Sequence, residues 1–264
     1  MPEIISPSNP KIKLVRALQT QAKKRKQKNS FVIEGVRLIE EANASEWPFD
    51  FLLYDKSLSD RGKRLLDSIE TSSKVDIFET TSSIMNAISA TETPQGILAV
   101  LKSHTYPLPD NPTFIILADR VRDPGNLGTI IRTAEAAGAD GIILTPGTVD
   151  AFAPKVLRAG MGAHFHLPIQ QMPWHEIHRY LKGLPVFLAS SNPGTSLWET
   201  DLKGPCALLI GSEAFGASPL GEEFATHHIT IPMVGRAESL NAAVAAAILM
   251  TEVMRQRNLQ KKDN

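Results

Sequence analysis

The stretch Asp119-Arg120-Val121-Arg122-Asp123-Pro124-Gly125-Asn126-Leu127-Gly128-Thr129-Ile130-Ile131-Arg132 decides how this chain is read. It follows an apolar run at 113–118 that predicts a strand, crosses an Asp-Pro-Gly-Asn turn, and enters a small-residue helix expected over 127–137. Proline presets φ in such a turn, and glycine or asparagine accepts positive φ. Asn126 is expected to cap the helix and Gly138 to end it. Leu127, Ile130, Ile131, Ala134 and Ala137 form its apolar stripe. Arg132 lies off that stripe, on the side of Glu135. Either the two form an i,i+3 pair contributing a few tenths of a kcal/mol, or the guanidinium is aimed at a ligand.

Strand and helix signals alternate on the carboxyl side of this stretch. Runs at 141–145, 185–189, 206–210 and 229–231 read as strands, and 154–161, 174–181 and 240–257 as helices. This alternation predicts a parallel sheet covered on both faces. On the amino side, strands are expected at 31–33, 51–54, 75–78 and 96–101, with helices at 36–44 and 61–69. Residues 1–103 thus form a small α/β domain, and 104–112, with Pro107, Pro109 and Pro112, a stiff linker. A second domain follows at 113–264.

Composition narrows the classes. The chain has 264 residues with 28 Lys+Arg against 28 Asp+Glu, so net charge alone signals no polyanion. The distribution does. Lys11, Lys13, Arg16, Lys23, Lys24, Arg25, Lys26 and Lys28 fall where no carboxylate intervenes between Glu3 and Glu34. Such a patch concentrates RNA, and Lys23, Lys24, Arg25 and Lys26 are candidate RNA-binding residues. The single cysteine, Cys206, is expected to be a small buried hydrophobe. No leader-like segment opens the sequence, and the apolar run 242–250 is too short to cross a bilayer, so the cytoplasm is the expected compartment.

Two more loops follow strands. Gly211-Ser212-Glu213-Ala214-Phe215-Gly216 sets a carboxylate between glycines, which would let backbone approach a ligand. Ile231-Pro232-Met233-Val234-Gly235-Arg236-Ala237-Glu238-Ser239-Leu240-Asn241 precedes an alanine-rich helix, for which Ser239 is the expected N-cap. His175 and His178 have helical spacing but no accompanying cysteine or carboxylate set, so no metal is expected. A Walker lysine motif, G-x-G-x-x-G after a strand and G-x-S-x-G are all absent.

Taken in order, the three loops resemble the motifs of the SpoU (TrmH-like) branch of the SPOUT RNA methyltransferases. Phe31-Val32-Ile33-Glu34-Gly35 and Thr93-Pro94-Gln95-Gly96-Ile97 are similar to the substrate-binding domain, related to ribosomal protein L30e, that precedes the catalytic domain in many members. The resemblance implies an α/β chain with an L30e-like first domain and a parallel-sheet SPOUT domain carrying a trefoil knot, a rare departure from ordinary connectivity. It implies methyl transfer from S-adenosylmethionine to a ribose 2′-hydroxyl of RNA by a homodimer; the two-domain layout makes ribosomal RNA the expected substrate, and the residues lead us to expect neither metal nor membrane. Arg132 would sit at the hydroxyl, with Asn126, Glu213, Ser239 and Asn241 completing the polar site. Gly211, Ile231 and Leu240, with Met233, Ala189 and Ser190, would hold the cofactor. Ala242 and Ala243 stand where many relatives carry valine and serine. Two alternatives stay open, a transfer-RNA ribose methyltransferase and a non-catalytic RNA-binding protein of the same fold.

Overall fold

The computed structural model describes residues 2–72, 75–190 and 194–260. The first half runs β1 (Glu3–Ile4), α1 (Pro10–Thr20), α2 (Ala22–Lys28), β2 (Ser30–Glu34), α3 (Val36–Ala44), β3 (Phe49–Tyr54), α4 (Asp60–Ser72), β4 (Asp76–Thr80), α5 (Ser82–Ile88) and β5 (Ile97–Lys102). Then come β6 (Phe114–Ala118), α6 (Pro124–Ala136), β7 (Gly141–Leu144), α7 (Pro154–Gly160), β8 (Ile169–Gln171), α8 (Trp174–Tyr180) and β9 (Val186–Ala189). The chain continues through β10 (Thr195–Ser196), β11 (Cys206–Ile210), α9 (Pro219–Phe224), β12 (His227–Thr230) and α10 (Ala242–Gln260).

Two compact units result. The first joins the residues up to His104 with Phe152–Phe165, and the second takes Thr105–Ala151 and the chain from His166 onward. Residues 152–165, which the sequence reading assigns to the second domain, group with the first because their aromatic side chains complete its core. Phe152 packs 4.8 Å from Phe31 and Phe165 5.2 Å from Trp47, ring centre to ring centre. The first unit holds a five-stranded sheet of order β1-β4-β3-β5-β2. Parallel and antiparallel pairs mix in it.

The second unit holds a seven-stranded sheet, β10-β12-β9-β11-β6-β7-β8, in which every pairing is parallel. Both faces of its central strands are closed to solvent, which is why those strands read as continuous apolar runs. Ile115 and Leu117 cluster with Ile177 of α8 and with Leu181 directly after it. Ile116 and Ala118, pointing the other way, are equally inaccessible. Helix α10 packs on α6 and β11, and α6 also packs on β7.

The carboxyl-terminal half of α10 is anchored by a charged network. Glu252, buried, accepts two 2.7 Å bonds from Arg255 and one of 2.8 Å from Gln256. Gln256 in turn donates to Thr200 O and accepts from Leu202 N. The bonds from Arg255 hold the Glu252 carboxyl below its ordinary range, against the opposing effect of burial. A depressed folded-state pKa stabilises the fold above the unfolded carboxyl value, about 4.3, and that stability is lost as pH falls through the lower folded value. Thermal melts should therefore show Glu252→Gln removing part of the wild-type loss of stability on acidification below about pH 4.3.

Candidate functional site

Parallel neighbours deliver their carboxyl ends to one edge, where open α/β sheets bind ligands. Strands β12, β9, β11 and β6 are consecutive neighbours here. Ala189 closes β9, and Ser190 N–H donates to Ile229 O at 3.0 Å. Gly211 follows β11 and Ile231 follows β12. Four of the six cofactor candidates thus stand on adjacent strand ends. Met233 and Leu240 lie, exposed, on the segment after β12. From Pro232 to Leu240 no hydrogen bond is made among the described residues. Its unbonded amides and carbonyls beside exposed apolar side chains are open to a ligand.

A polar chain crosses this edge. Asn126 Nδ2 donates to Glu213 Oε1 at 2.8 Å, and Asn241 Nδ2 donates to Asn126 Oδ1 at 3.0 Å. Residues from all three loops meet there, though Ser239 does not join them. It is exposed and makes no hydrogen bond among the described residues. Neither expected cap holds. Asp123 caps α6, accepting from Asn126 N–H at 2.8 Å, because the proline at the first helical position places the cap one residue before it. Asn126 lies inside the first turn, with its side chain released for the site. Asn241 caps α10 through Ala243 and Val244 N–H at 2.9 and 3.2 Å, displacing Ser239, which lies too far from the first helical residues. The expected helix end does hold: Gly138, at φ 71°, follows α6 with its N–H bonded to Glu135 O.

Arg132 settles half of the opening question. It is exposed and forms no ion pair with Glu135 or any other described residue. It follows Asn126 by six positions, about 9 Å along the axis and two-thirds of a turn round it. Its guanidinium is unengaged, and it projects from a different side of α6 than the polar chain.

The loop after β11 is folded back on itself. Ser212 and Gly216 exchange backbone bonds of 2.7 and 3.0 Å. A Cβ on Gly211 would stand 2.3 Å from Gly216 C and 2.4 Å from Ala217 N. Gly211 is therefore required by its own loop, and not only by a ligand's approach. Sequence reasoning gave no role to Asp119. Fully buried, it accepts from Thr145 Oγ1 at 2.7 Å through Oδ1 and from Ser218 N–H at 2.6 Å through Oδ2. It ties the β6 end to the far side of the Glu213 loop. The signal was a carboxylate placed directly after five apolar residues.

Three of the four basic candidates face outward or lie half-buried, namely Lys23, Lys24 and Lys26. Arg25 differs. It is 7 % exposed and donates to Leu18 O at 2.5 Å, covering the terminal carbonyls of α1 where the helix breaks at Gln21. Cys206 is buried, as expected, and burial pushes its thiol upward against the opposing influence of Arg257. No group of three side chains able to hold a metal occurs among the described residues.

The chain resembles known proteins along most of its length. Residues 113–251 match the SpoU rRNA Methylase family, and 9–99 match the MRM3-like substrate binding domain. The 23S rRNA (guanosine(2553)-2'-O)-methyltransferase RlmP of Bacillus subtilis is 36% identical over 95% of this chain and 98% of its own. The crystal structure of the AdoMet-bound rRNA methyltransferase from Sinorhizobium meliloti matches with a TM-score of 0.85 at 33% identity, covering 96% of this chain and 97% of that one. The SpoU methyltransferase AviRb from Streptomyces viridochromogenes, in complex with AdoMet, matches with a TM-score of 0.85 at 30% identity, covering 95% and 98%.

Proposed function

The chain belongs to the SpoU rRNA Methylase family and is an S-adenosylmethionine-dependent RNA ribose 2′-O-methyltransferase, and from that premise we propose ribosomal RNA as its substrate and a homodimer as its working form. The observation that carries the reading is the Asn126–Glu213–Asn241 chain laid across open strand ends, with an unengaged arginine on the same helix.

S-adenosylmethionine supplies an electrophilic methyl group when bound. The backbone at Ala189, Ser190, Gly211 and Ile231, with Met233 and Leu240, would hold it. A ribose hydroxyl is a poor nucleophile, so the protein must align it and favour loss of its proton. A guanidinium offers donors and no acceptor, so Arg132 acts as a donor, and the hydroxyl proton leaves to a phosphate oxygen or to water. Its planar fork binds a neighbouring phosphate and the developing alkoxide. Asn126, fixed by Glu213 and Asn241, holds the first loop in one conformation.

The homodimer is supported by Arg132 projecting from a different side of α6 than its own polar chain. Helix α10 carries Val244, Ile248, Thr251 and Met254 at helical spacing, with Val244 and Met254 exposed. A symmetric pairing of α6 and α10 with their copies covers that stripe and brings Arg132 to the partner's polar chain. The trefoil knot is part of the same proposal. It is supported by β11 entering between β9 and β6, and β12 between β10 and β9, after those neighbours are laid down. The cytoplasm is the proposed compartment.

The test is transfer of labelled methyl to total RNA from a strain lacking the enzyme, with the modified positions mapped by resistance to alkaline cleavage. Label on bases alone would contradict the ribose assignment. The basic tract gives a separable result. Replacing Lys23, Lys24 and Lys26 by Gln should weaken RNA binding and reduce the salt slope by about 2. Arg25→Gln should instead lower the melting temperature, since it uncovers carbonyls of α1.

A further inference from the structure

We propose that Phe215 is a stacking platform for an unpaired nucleobase of the RNA, either the base of the methylated nucleotide or its immediate neighbour. This rests on the Asn126–Glu213–Asn241 chain being the reaction site. Phe215 is 77 % exposed, high for a residue of its size. A lone exposed aromatic is unremarkable on most surfaces, but this one is held out by its loop. Ser212 Oγ accepts from Phe215 N–H at 3.3 Å and donates to Gly216 O at 3.1 Å. The backbone pair between Ser212 and Gly216 closes the loop beneath it, and the Gly211 backbone lies close against Gly216 and Ala217. The ring thus stands in solvent on a loop braced by its own hydrogen bonds.

Its position gives the ligand class. Phe215 stands two residues from Glu213, whose carboxylate faces Asn126. The 2′-carbon of a ribose is bonded to the 1′-carbon that carries the base, so a hydroxyl delivered to this site brings a base within a few bond lengths. RNA-binding proteins read unstacked bases by stacking them on aromatic side chains, a contact worth about five- to a hundredfold in affinity. A phenylalanine has a π-face and no hydrogen-bonding group, so the platform tolerates any base and fixes its plane and distance. It is a positioning residue for the nucleotide rather than a participant in methyl transfer.

The experiment uses the full-length enzyme with total RNA from a strain lacking it as methyl acceptor, and compares Phe215→Ala, Phe215→Leu and Phe215→Tyr. Phe215→Ala and Phe215→Leu should raise the KM for RNA about tenfold, and Phe215→Tyr should restore it. Affinity for S-adenosylmethionine by calorimetry and the gel-filtration volume should stay unchanged in all three. A normal KM in Phe215→Leu would overturn the proposal, because aliphatic bulk would suffice. Weakened S-adenosylmethionine binding would reassign the ring to the cofactor, and a shifted elution volume would reassign it to the subunit interface. Both would also overturn it. If the wild-type enzyme itself transfers no methyl to RNA, the functional reading fails first and the proposal with it. An active wild type with unaffected variants sinks the proposal alone.

Discussion

Arg132→Ala should leave the melting temperature unchanged and lower methyl transfer by about a hundred- to a thousandfold. The first half of that expectation is structural. Arg132 is exposed and makes no bond to any described residue, and surface substitutions of that kind move stability by less than about 0.5 kcal/mol. The second half is chemical, since a preorganised cationic fork at a developing alkoxide acts mainly in the transition state. Arg132→Lys keeps the charge and loses the fork, so it should recover only a small part of the rate. S-adenosylmethionine affinity should be the same in both variants. Full activity in Arg132→Lys would remove the bidentate role.

The same residue tests the assembly. Suppose each site takes Arg132 from one protomer and Asn126 from its partner. A mixed dimer of Arg132→Ala and Asn126→Ala chains then contains one doubly altered site and one intact site. Random mixing of the two inactive proteins should restore about a quarter of wild-type activity, because half the dimers are mixed and half their sites are whole. Sites contained within one chain predict no recovery. This result separates a partner-supplied arginine from one that reaches its own polar chain by a local rearrangement.

The fold was legible where apolar runs and helix periodicity were long. The strands at 114–118 and 206–210 and the helix at 36–44 lie where pattern alone places them. Elements without a period were not. β10, β8 and α9 have two, three and six residues, too short for any repeat to declare itself. At the site, residue types were readable and their duties were not. Asn126, Asp123, Ser239 and Asn241 are all good caps, and only the helix starts at Pro124 and Ala242 decide which of them cap. Those two starts free Asn126 for the site, commit Asn241 to both tasks, and leave Ser239 with neither. Arg25 belongs to the same lesson. Within a run of cations, one guanidinium turned inward because a helix ended beside it, a three-dimensional accident that charge counting cannot register.

Gly211→Ala is the second large effect, and it tests whether the Glu213 loop must hold its present path. The new Cβ would stand 2.3 Å from a backbone carbon of Gly216 and 2.4 Å from the nitrogen of Ala217, so the loop has to move by about 1 Å. Backbone cannot rotate away as a side-chain tip would. That displacement breaks the 2.8 Å bond between Glu213 and Asn126, moves the strand end proposed to hold S-adenosylmethionine, and shifts Phe215. A misplacement of about 1 Å at reacting groups costs about a hundredfold in rate. The expected result is a loss of that size in methyl transfer, accompanied by weakened S-adenosylmethionine binding. Gly216→Ala is the control on the same loop. Gly216 sits at φ 65° with nothing within 4 Å of its missing Cβ, so alanine there meets only the left-handed backbone cost, about 1–2 kcal/mol, and no collision. It should lower the melting temperature slightly and leave cofactor binding near wild type. Equal losses in the two variants would mean that conformational freedom, and not the close approach of one backbone to another, is what the loop requires of glycine.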